Sequence, residues 1–554
     1  MKKFCGLLIL SFFSYLCSAS NSHSAKLQPL LDEIWQYNLS IRPILATSQG
    51  IHDFDNKLAD MSPDALKDQD SNFRDFLKKL SFIDKTKLNR TEQISLLIQQ
   101  RNLQNNIDEY RFNTHYMPLT SESSFHSSLA FLPRSSRFKT LVDYQNYLAR
   151  LEQFPTYFEQ QINWMRKGIQ TGFIQPKVVL QGFEDSVKAF IHDSPEDSVF
   201  YAPFLDLQIA VVEPIEHKKL TKQATEIITN HVFAAYQKFY NFLVSEYVPS
   251  SKTNIAALSL PNGRAYYQNR SDFYTTTQMS VDEIHTLGLD EVNRIRGEMQ
   301  TIINHLEYDG SISQFIEYLR TDKKFYAETA EELIQQASYI AKKMDAKLPQ
   351  LFNYLPRTPY GVEAVPENIA PKYTTGRYIS PTNNTQPGFY WVNTYALDKR
   401  PLYALTALTL HEAVPGHHLQ ISLSREMKEL PEVRRFTYIS AFGEGWGLYS
   451  EFLGKEVNMY DDPYDEFGRL SYEMWRACRL VVDTGMHIKG WSRQKAIDYM
   501  LLNTALSEHN VTTEIDRYIS WPAQALSYKI GELTIKRLRK QAEEALAENF
   551  DLRA

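Results

Sequence analysis

Cysteine is nearly absent from this sequence of 554 residues, which contains Cys5, Cys17 and Cys478 and no others. The first two lie in an N-terminal stretch that we predict to be removed, so the mature chain would keep one cysteine. A single cysteine can form neither an internal disulfide nor a thiolate-rich zinc site. Any metal ion would therefore have to be held by histidine and carboxylate side chains.

Positive charge is not in excess either, because the formal net charge is -6 and the isoelectric point is near 6.2. This balance gives no reason to expect nucleic acid or an anionic membrane surface as a partner. Beyond the N-terminus, no apolar run is long enough to form a stable membrane span. The chain has no repeats and no low-complexity linker, so we expect a single helical domain over residues 20–554. It could divide into two lobes, residues 20–270 and 271–554.

The N-terminus has the pattern of a signal peptide, which we place at residues 1–19. Two lysines precede a short apolar stretch at residues 4–16, and small residues lead to a cleavage site after Ala19. We therefore expect the protein to be exported, either to the periplasm or out of the cell. In a lipoprotein, Cys17 would instead be the acylated residue. The bulky Leu16 argues against that alternative, because a small residue is expected there.

Apolar residues spaced by three or four positions predict that most of the chain is helical. The clearest segments are residues 25–37, 89–110, 141–170 and 219–247, a segment that starts at Ser280 with a capping box, and nearly everything after Pro401. Short strand-like pieces and a turn are expected over residues 255–267. Residues 356–395 are rich in proline, glycine and threonine and predict loops and short strands. We therefore predict a mainly α fold, with a small β-sheet beside the helix described next.

Residues 411–418 read HEAVPGHH and follow an apolar run. Two histidines and an adjacent glutamate are the core of a zinc-peptidase site, in which the imidazoles hold the metal. Glu412 would take a proton from the water that the metal activates. The usual pattern, HExxH, places both histidines on one face of a helix, one turn apart. Four residues after His411, however, stands Pro415, so the usual pattern fails.

Either His417 or His418 could supply the second imidazole, and neither fits a straight helix. His418 would lie on the same face but roughly 10 Å along the axis, and His417 would point roughly 120° away. Proline removes a helical hydrogen bond, and glycine permits unusual backbone angles. We interpret Pro415-Gly416 as an inserted bulge that moves His417 to the metal and leaves His418 in the surrounding shell. The alternative is a kinked surface helix with clustered polar residues.

A catalytic zinc takes three protein ligands and leaves one position open for water. The best candidate for the third ligand lies in FGEGWGLYSE, residues 442–451, where Glu444 and Glu451 share one face of a helix. The glycines of this segment would allow a neighbouring helix to approach closely. We expect Glu444 to bind the metal and Glu451 to orient a ligand imidazole. The alternative is a solvated acidic face beside a packed tryptophan.

Several segments together resemble the bacterial "domain of unknown function 885" family, a set of zinc-peptidase-like proteins. They are FYTTTQMSVDEIHTLGLDEVNRI, PGFYWVNTYALDKRP, LTLHEAVPGHHLQ, GEGWGLYSE, RACRLVVDTGMHIKGWSRQKAIDYM and RYISWPAQALSYKIG. They run from residue 273 to residue 531, and the first 250 residues match only loosely. The family is similar to the helical gluzincin peptidases, which include the angiotensin-converting enzyme, thimet oligopeptidase and carboxypeptidase Taq groups. This resemblance implies a helical ellipsoid with a deep substrate channel.

The Pro-Gly insertion departs from those relatives and puts in doubt which histidine is the ligand. A match to the Gly-His pair of HExGH forms selects His417. The expected cofactor is one Zn²⁺ per chain, and its ligands are His411, His417 and Glu444. Glu412 would be the general base and then the proton donor to the leaving amine. Tyr528 could donate to the oxyanion, as C-terminal tyrosines do in the helical relatives, or it could be a buried helix tyrosine. His487 is the other oxyanion candidate, or a hydrogen-bonded core histidine.

The expected partner is a peptide substrate. Arg377, Arg479 and Arg517 could bind its terminal carboxylate through paired hydrogen bonds. Asn393 and Tyr395 precede the metal helix and could pair with the substrate backbone, as an edge strand does. Surface charge or helix pairing would also explain each of these residues.

These expectations combine into an exported zinc-dependent peptidase that hydrolyses short peptides and is of the carboxypeptidase or oligopeptidase type. One alternative is a non-catalytic peptide-binding protein on the same fold, although such a protein would not need Glu412. The other is a zinc amidase that acts on a non-peptide amide, which the sequence does not distinguish from a peptidase.

Overall fold

Helices dominate the computed structural model, which describes residues 13–554 except 206, 208–212, 368 and 382–385. Within this part the chain is 69% helical and carries a small three-stranded sheet, as predicted. None of the helices described has both the length and the apolar composition needed to cross a bilayer. Residues 1–12 of the predicted signal peptide lie outside the described residues. The signal peptide and the two lobes stay predictions.

The helices of the first half of the chain range from three to 29 residues in length. They are α1 (Phe13–Ile41), α2 (Pro43–Ser48), α3 (Pro63–Ser81), α4 (Arg90–Arg111), α5 (Phe125–Leu129), α6 (Leu132–Ser135), α7 (Leu141–Leu151), α8 (Phe154–Thr171), α9 (Phe183–Lys188), α10 (Ala202–Leu205), α11 (Pro214–Ile227), α12 (Ala234–Phe242) and α13 (Val248–Ser250). Two π-helical segments, Ile228–Phe233 and Leu243–Tyr247, join the last three into one continuous helical run.

The second half contains the helices that surround the site. They are α14 (Gly263–Thr275), α15 (Val281–His305), α16 (Ile312–Thr321), α17 (Ala330–Asp345), α18 (Leu405–Glu412), α19 (His417–Glu426), α20 (Glu432–Arg435), α21 (Ser440–Glu456), α22 (Pro463–His487), α23 (Arg493–Asn503), α24 (Glu508–Ser520) and α25 (Ser527–Leu546).

Local sequence signals explain where helices begin and end. The Ser280 hydroxyl and the Glu283 backbone and side chain form the predicted capping box, and α15 starts there. The single helix predicted over residues 141–170 is instead two, α7 and α8. Pro155 explains the break, because in a continuous helix its ring would clash with the carbonyl of Leu151, the last residue of α7. In the first turn of α8 the missing N–H of proline costs no helical hydrogen bond.

The prediction of strand-like pieces over residues 255–267 is wrong. Ala257–Ser259 form a turn of 3-10 helix, and α14 begins immediately after Asn262. Asn262 has a φ of 53°, a left-handed conformation that asparagine tolerates better than most residues. Ala257 is buried in one apolar cluster with Tyr266 and Tyr267 of α14. The segment therefore folds back on its own helix instead of extending to pair with a strand.

The small sheet lies in the segment predicted for it, beside α18. β1 (Tyr360–Ala364) pairs in parallel with β3 (Gly388–Val392), and β2 (Gly376–Ile379) pairs antiparallel with the other side of β3. The backbone N–H of Tyr378 in β2 donates to the Glu412 carboxylate of α18 at 2.8 Å. An edge strand of the sheet is therefore hydrogen-bonded directly to the helix of the HEAVPGHH segment.

α22 is the central helix of the molecule, because every residue of Phe467–His487 is buried. It packs most extensively against α15, while α21 packs against α25 and α18. The largest apolar cluster includes residues from Leu58 to Ala525 and so draws on both halves of the sequence. This packing gathers α18, α21, α22 and α25 around a group of buried polar side chains.

Candidate metal centre

The HEAVPGHH segment forms two helices with a break between them, instead of the single bulged helix that we predicted. α18 ends at Glu412, and α19 begins at His417. Between them the Val414–Pro415 peptide bond is cis, and the N–H of His418 donates to the carbonyl of Ala413 at 3.1 Å. The two histidines that we expected to share a metal therefore belong to different helices.

Gly416 lets these two helices meet closely. A Cβ atom at this position would lie 1.8 Å from the carbonyl oxygen of His411 and 2.4 Å from that of Leu410. A larger residue would have to move this backbone, so glycine is required here. As a result, the rings of His411 and His417 lie edge to face, with their centroids 4.8 Å apart and their planes at 85°.

His411, His417 and Glu444 form a mostly buried group that could hold a metal ion, with one ligand atom from each side chain within 4.8 Å of the others. The Nε2 atoms of His411 and His417 lie 3.7 Å and 3.5 Å from Oε2 of Glu444. Ligands that are about 2 Å from a tetrahedral zinc ion lie roughly 3.3 Å from one another. The two distances to Glu444 are close to this value, so the group could hold a metal ion with the coordination of zinc.

Hydrogen bonds orient two of these side chains. Nδ1 of His411 donates to Oε1 of Glu451 at 2.8 Å, and Arg476 Nη2 lies 3.3 Å from the same oxygen. The Tyr438 hydroxyl donates to Oε1 of Glu444 at 2.8 Å. These contacts leave Nε2 of His411 and Oε2 of Glu444 free to bind a metal. Such outer partners are the usual support of metal ligands in proteins.

The charges of the group stabilise one another. Burial alone would raise the pKa of Glu444, but His411 and His417 hold it well below its ordinary value. Burial alone would lower the pKa of His411, but Glu444 and Glu451 raise it to about 9. Each partner favours the charged form of the other. A divalent cation would compete with protons for these side chains, so metal binding would release protons.

Helix α21 approaches the imidazole of His411 at Gly447. A Cβ atom there would lie 2.6 Å from both Cε1 and Nε2 of the ring. Any side chain at this position would push the imidazole away from Glu444, which lies one turn earlier on the same helix. The glycines in GEGWG thus permit the contact between helices that brings the group together.

A cavity of about 490 Å³ opens beside the group, and its lining includes Glu412, Trp475, Tyr528, Arg377, Arg479 and Arg517. The ring centroid of Tyr528 lies 6.4 Å from that of His411 and 4.1 Å from the guanidinium carbon of Arg479. The carboxylate of Glu412 is fixed by the N–H of Tyr378. Glu412, Tyr528 and the arginines therefore face one space together with the His-His-Glu group.

Three other predicted site residues are not among the described residues that line this cavity. Nδ1 of His487 accepts from the N–H of Ala257 at 3.0 Å, and its Nε2 donates to the carbonyl of Tyr518 at 3.0 Å. Asn393 is fully buried and donates to three backbone carbonyls of the preceding loop. It also accepts from the N–H of Tyr395, whose side chain is half exposed. These contacts hold loops and helices together.

His418 points away from the His-His-Glu group. Its Nδ1 lies 3.0 Å from the Tyr378 hydroxyl, and its ring packs against Tyr360 with centroids 4.5 Å apart. Burial lowers its pKa to about 4, so the ring is neutral at pH 7. His418 therefore supports β2, the strand whose backbone N–H at Tyr378 fixes Glu412.

Two contacts at the site, from Tyr438 to Glu444 and from the Tyr378 N–H to Glu412, were not predicted from the sequence. Tyr438 lies in the loop before α21, where no periodicity marks a side chain that turns toward Glu444. The available signal was a tyrosine six residues before a predicted ligand. The N–H of Tyr378 contributes through the backbone, which residue identity does not reveal.

A sequence model described as "Bacterial protein of unknown function (DUF885)" matches residues 43–554. A solved structure from Colwellia psychrerythraea, described as a putative lipoprotein, superposes with a TM-score of 0.84 at 29% sequence identity, and the match covers 96% of this chain and 95% of that one. A similarly described protein of unknown function from Shewanella oneidensis has a TM-score of 0.72 at 18% identity, with the same coverage, and so shows the fold alone. No curated protein matches the sequence.

Proposed function

This chain belongs to the bacterial DUF885 family of unknown function, and we propose that it is an exported zinc-dependent peptidase that hydrolyses short peptides. One observation carries the proposal: the carboxylate of Glu412 faces the same cavity as a His-His-Glu group that could hold a metal. A buried carboxylate is costly to keep. One oxygen of Glu412 accepts from the N–H of Tyr378, and the proposal gives the carboxylate a further use as a base, which a protein that only bound peptides would not need.

His411, His417 and Glu444 would hold the zinc, in a set of three nitrogen and oxygen ligands typical of catalytic sites. When bound, the ion would polarise the substrate carbonyl and lower the pKa of a water molecule beside it. Glu451 and Tyr438 would keep the ligands oriented. Manganese or cobalt suits the same ligands less commonly.

In the proposed reaction, the oxygen of a water molecule forms a bond to the carbonyl carbon of a peptide bond. Glu412 takes a proton from this water and passes it to the leaving nitrogen as the C–N bond breaks. Tyr528 would donate a hydrogen bond to the carbonyl oxygen as negative charge develops there. The products are a carboxylic acid and an amine.

The proposal includes a relation to the helical gluzincin peptidases. It is supported by the mainly helical fold and by the order of the site residues along the chain. The break between α18 and α19 brings His417 beside His411 in spite of the Pro-Gly insertion, so the departure from HExxH does not argue against a shared metal.

Export is the second part of the proposal. It is supported by the signal-peptide pattern and by the lipoprotein description of the solved relative from Colwellia psychrerythraea. Mass spectrometry of the mature N-terminus would test it. A first residue Ser20 would support cleavage after Ala19, and a diacylglycerol-modified Cys17 would support a lipid anchor. An intact Met1 in the mature protein would contradict export by either route.

The substitution Glu412→Gln tests the catalytic proposal, because it removes the base while keeping the shape of the side chain. We expect the variant to keep about one zinc per chain and to lose roughly 10²- to 10⁴-fold in peptide hydrolysis. Glu363→Gln, on the exposed side of β1, is the matched control and should keep full activity. Wild-type hydrolysis by Glu412→Gln, or a wild type that takes up no zinc, would contradict the proposal.

A further inference from the structure

Arg479 carries a buried charge that its protein partners satisfy only in part. The side chain belongs to a residue that is 2% exposed, and it lines the cavity beside the His-His-Glu group. Its Nε donates to the Tyr518 hydroxyl at 2.7 Å, and its Nη2 donates to Glu514 at 2.9 Å. Nη1 has no hydrogen-bond partner among the residues described and is closed to solvent, so a ligand would reach it only after a small displacement of the cavity wall. Donors of a buried charge that stay unpaired are costly, so Nη1 is suited to an anionic ligand.

Arg479 and Arg517 share an acidic partner on this wall of the cavity. Arg517 Nη2 donates to the same Glu514 oxygen at 3.0 Å, and Arg517 Nε lies 3.8 Å from Glu122. The described lining of the cavity carries four arginines and four glutamates, and Glu444 is one of the proposed metal ligands. With a divalent cation bound, the lining would carry an excess of positive charge that one carboxylate would reduce. A planar guanidinium with free N–H groups suits a carboxylate in particular.

We infer that Arg479 binds the α-carboxylate of the peptide substrate and that the protein releases one amino acid at a time from the C-terminus. This inference rests on the proposed peptidase function and specifies its substrate class. Water would add across the last peptide bond. The shortened peptide gains a carboxylate, and the released residue keeps the α-carboxylate held by Arg479 and gains a proton on its nitrogen.

The spacing along the cavity favours the release of a single residue. The Tyr528 ring lies 6.4 Å from the His411 ring and 4.1 Å from the Arg479 guanidinium carbon, so the His411 ring and this carbon are at most about 10.5 Å apart. An extended residue spans about 3.5 Å, and a bound carboxylate carbon lies roughly 4 Å from the guanidinium carbon. One residue after the scissile carbonyl fits an extended substrate that leads from His411 toward Arg479. Two residues would need about 11 Å before the distance from His411 to the carbonyl is added.

A pair of peptides that differ at one group tests the carboxylate site directly. The probes are an N-acetylated tripeptide with a free C-terminal carboxylate and the same tripeptide as its C-terminal amide. Both are titrated calorimetrically into the zinc-loaded Glu412→Gln protein, in which binding is measured apart from hydrolysis. We expect the free acid to bind about 10- to 100-fold more tightly than the amide, which is the gain that one hydrogen bond to a charged group contributes. Equal binding of the two probes would overturn the inference.

Two arginine variants in the same Glu412→Gln background locate the site. Arg479→Lys keeps the positive charge but loses the planar pair of N–H groups that a guanidinium offers to a carboxylate. It should reduce the preference for the free acid to less than about threefold. Arg150→Lys is the matched control, because Arg150 is equally buried with an unpaired Nη1 but is not among the residues that line the cavity. Its preference should be unchanged. Retained preference in Arg479→Lys would overturn the assignment to Arg479.

Product analysis with the wild type separates the inference from the proposed function. Release of free C-terminal amino acids would support both, whereas release of dipeptides or internal fragments would overturn the single-residue inference alone. Binding that depends on the carboxylate, with no hydrolysis of either peptide, would support the Arg479 site and overturn the peptidase proposal.

Discussion

Tyr438 determines which oxygen of Glu444 is available to a metal. Its hydroxyl donates to Oε1 of Glu444 at 2.8 Å, although half of the residue is exposed to solvent. The ring lies directly against Gly443, where a Cβ atom would be 2.2 Å from it. The tyrosine is thus seated on the backbone of α21, and its hydroxyl leaves Oε2 of Glu444 facing the two histidines.

We expect Tyr438→Phe to weaken zinc binding by about 10-fold or more, because loss of an outer hydrogen bond frees the ligand carboxylate. Stability without metal should change little, since the ring contact with Gly443 is kept. Competition with a chromophoric chelator measures the affinity. Tyr395→Phe, at a half-exposed tyrosine that is not among the described lining residues, is the control and should bind zinc as the wild type does. Unchanged affinity in Tyr438→Phe would show that its hydroxyl does not orient Glu444.

Sequence spacing identified the side chains that meet in the His-His-Glu group. It could not identify every hydrogen bond that orients these side chains and Glu412. Two local patterns indicate a metal site on chemical grounds. One is the adjacent pair His411 and Glu412, and the other is the later glycine-rich helix that contains Glu444. The choice between His417 and His418 depends on backbone angles over residues 413–416, which spacing does not determine. For His487 the sequence left open an oxyanion role and a hydrogen-bonded core histidine, because a backbone partner for each ring nitrogen cannot be recognised from residue identity.

At the scale of elements, the contact between α21 and α25 holds the site together, because α21 carries Glu444 and α25 carries Tyr528. The helices meet where Gly445 and Gly531 face each other. A Cβ atom at Gly531 would lie 1.9 Å from the carbonyl oxygen of Ala441 and 2.8 Å from the Cα of Gly445. These obstacles are backbone atoms, which cannot turn aside as a side chain can.

Gly531→Ala should therefore lower the free energy of unfolding by about 1–3 kcal/mol and displace Tyr528 from the cavity. Urea-induced unfolding measures the first effect. The matched control is Gly297→Ala in the exposed face of α15, where nothing lies within 4 Å of the added Cβ. That substitution should stabilise the protein by about 0.5–1 kcal/mol, because alanine favours a helix. A Gly531→Ala variant as stable as the wild type would mean that the two helices can separate without cost.

Helices could be predicted where a single periodicity or a single cap determines them, as the capping box at Ser280 determines the start of α15. They could not be predicted where tertiary packing decides. Strand-like pieces were predicted over residues 255–267, yet Ala257–Ser259 form a turn of 3-10 helix buried against α14, and Gly263 already begins that helix. Pro415 marks an interruption, but a bulge and a full break between helices give the same local signal.

At the scale of the whole molecule, a metal would link two parts of the chain, since its ligands come from the α18–α19 segment and from α21. A ligand that binds the folded state alone stabilises it by about 3–4 kcal/mol at 100 to 1,000 times its Kd. For a chain of this size we expect saturating zinc to raise the Tm by about 2–4 °C. His417→Ala should abolish the shift, and His418→Ala should keep it. Loss of the shift in His418→Ala alone would move the ligand to His418.

Acid should destabilise the molecule through buried histidines far from the site. His126 is 1% exposed and packs among the rings of Phe125, Phe183, Tyr236 and Phe239. Burial lowers its pKa from 6.5 to about 4. Between these pH values the unfolded chain binds a proton that the folded chain does not, so the free energy of unfolding falls as the pH falls. The contribution is complete above pH 6.5, and up to about 3 kcal/mol is lost by about pH 4.

Urea unfolding at pH 7 and pH 4.5 measures this loss in the metal-free protein. His126→Asn should be less stable than the wild type at pH 7, because it disturbs an aromatic core, but its stability should fall less steeply with acid. His509→Asn, at an exposed histidine of α24, is the matched control and should show the slope of the wild type. If His126→Asn keeps the full slope, the acid sensitivity belongs to other groups, such as the buried His418. The ring of His126 would then be protonated in the folded state without cost.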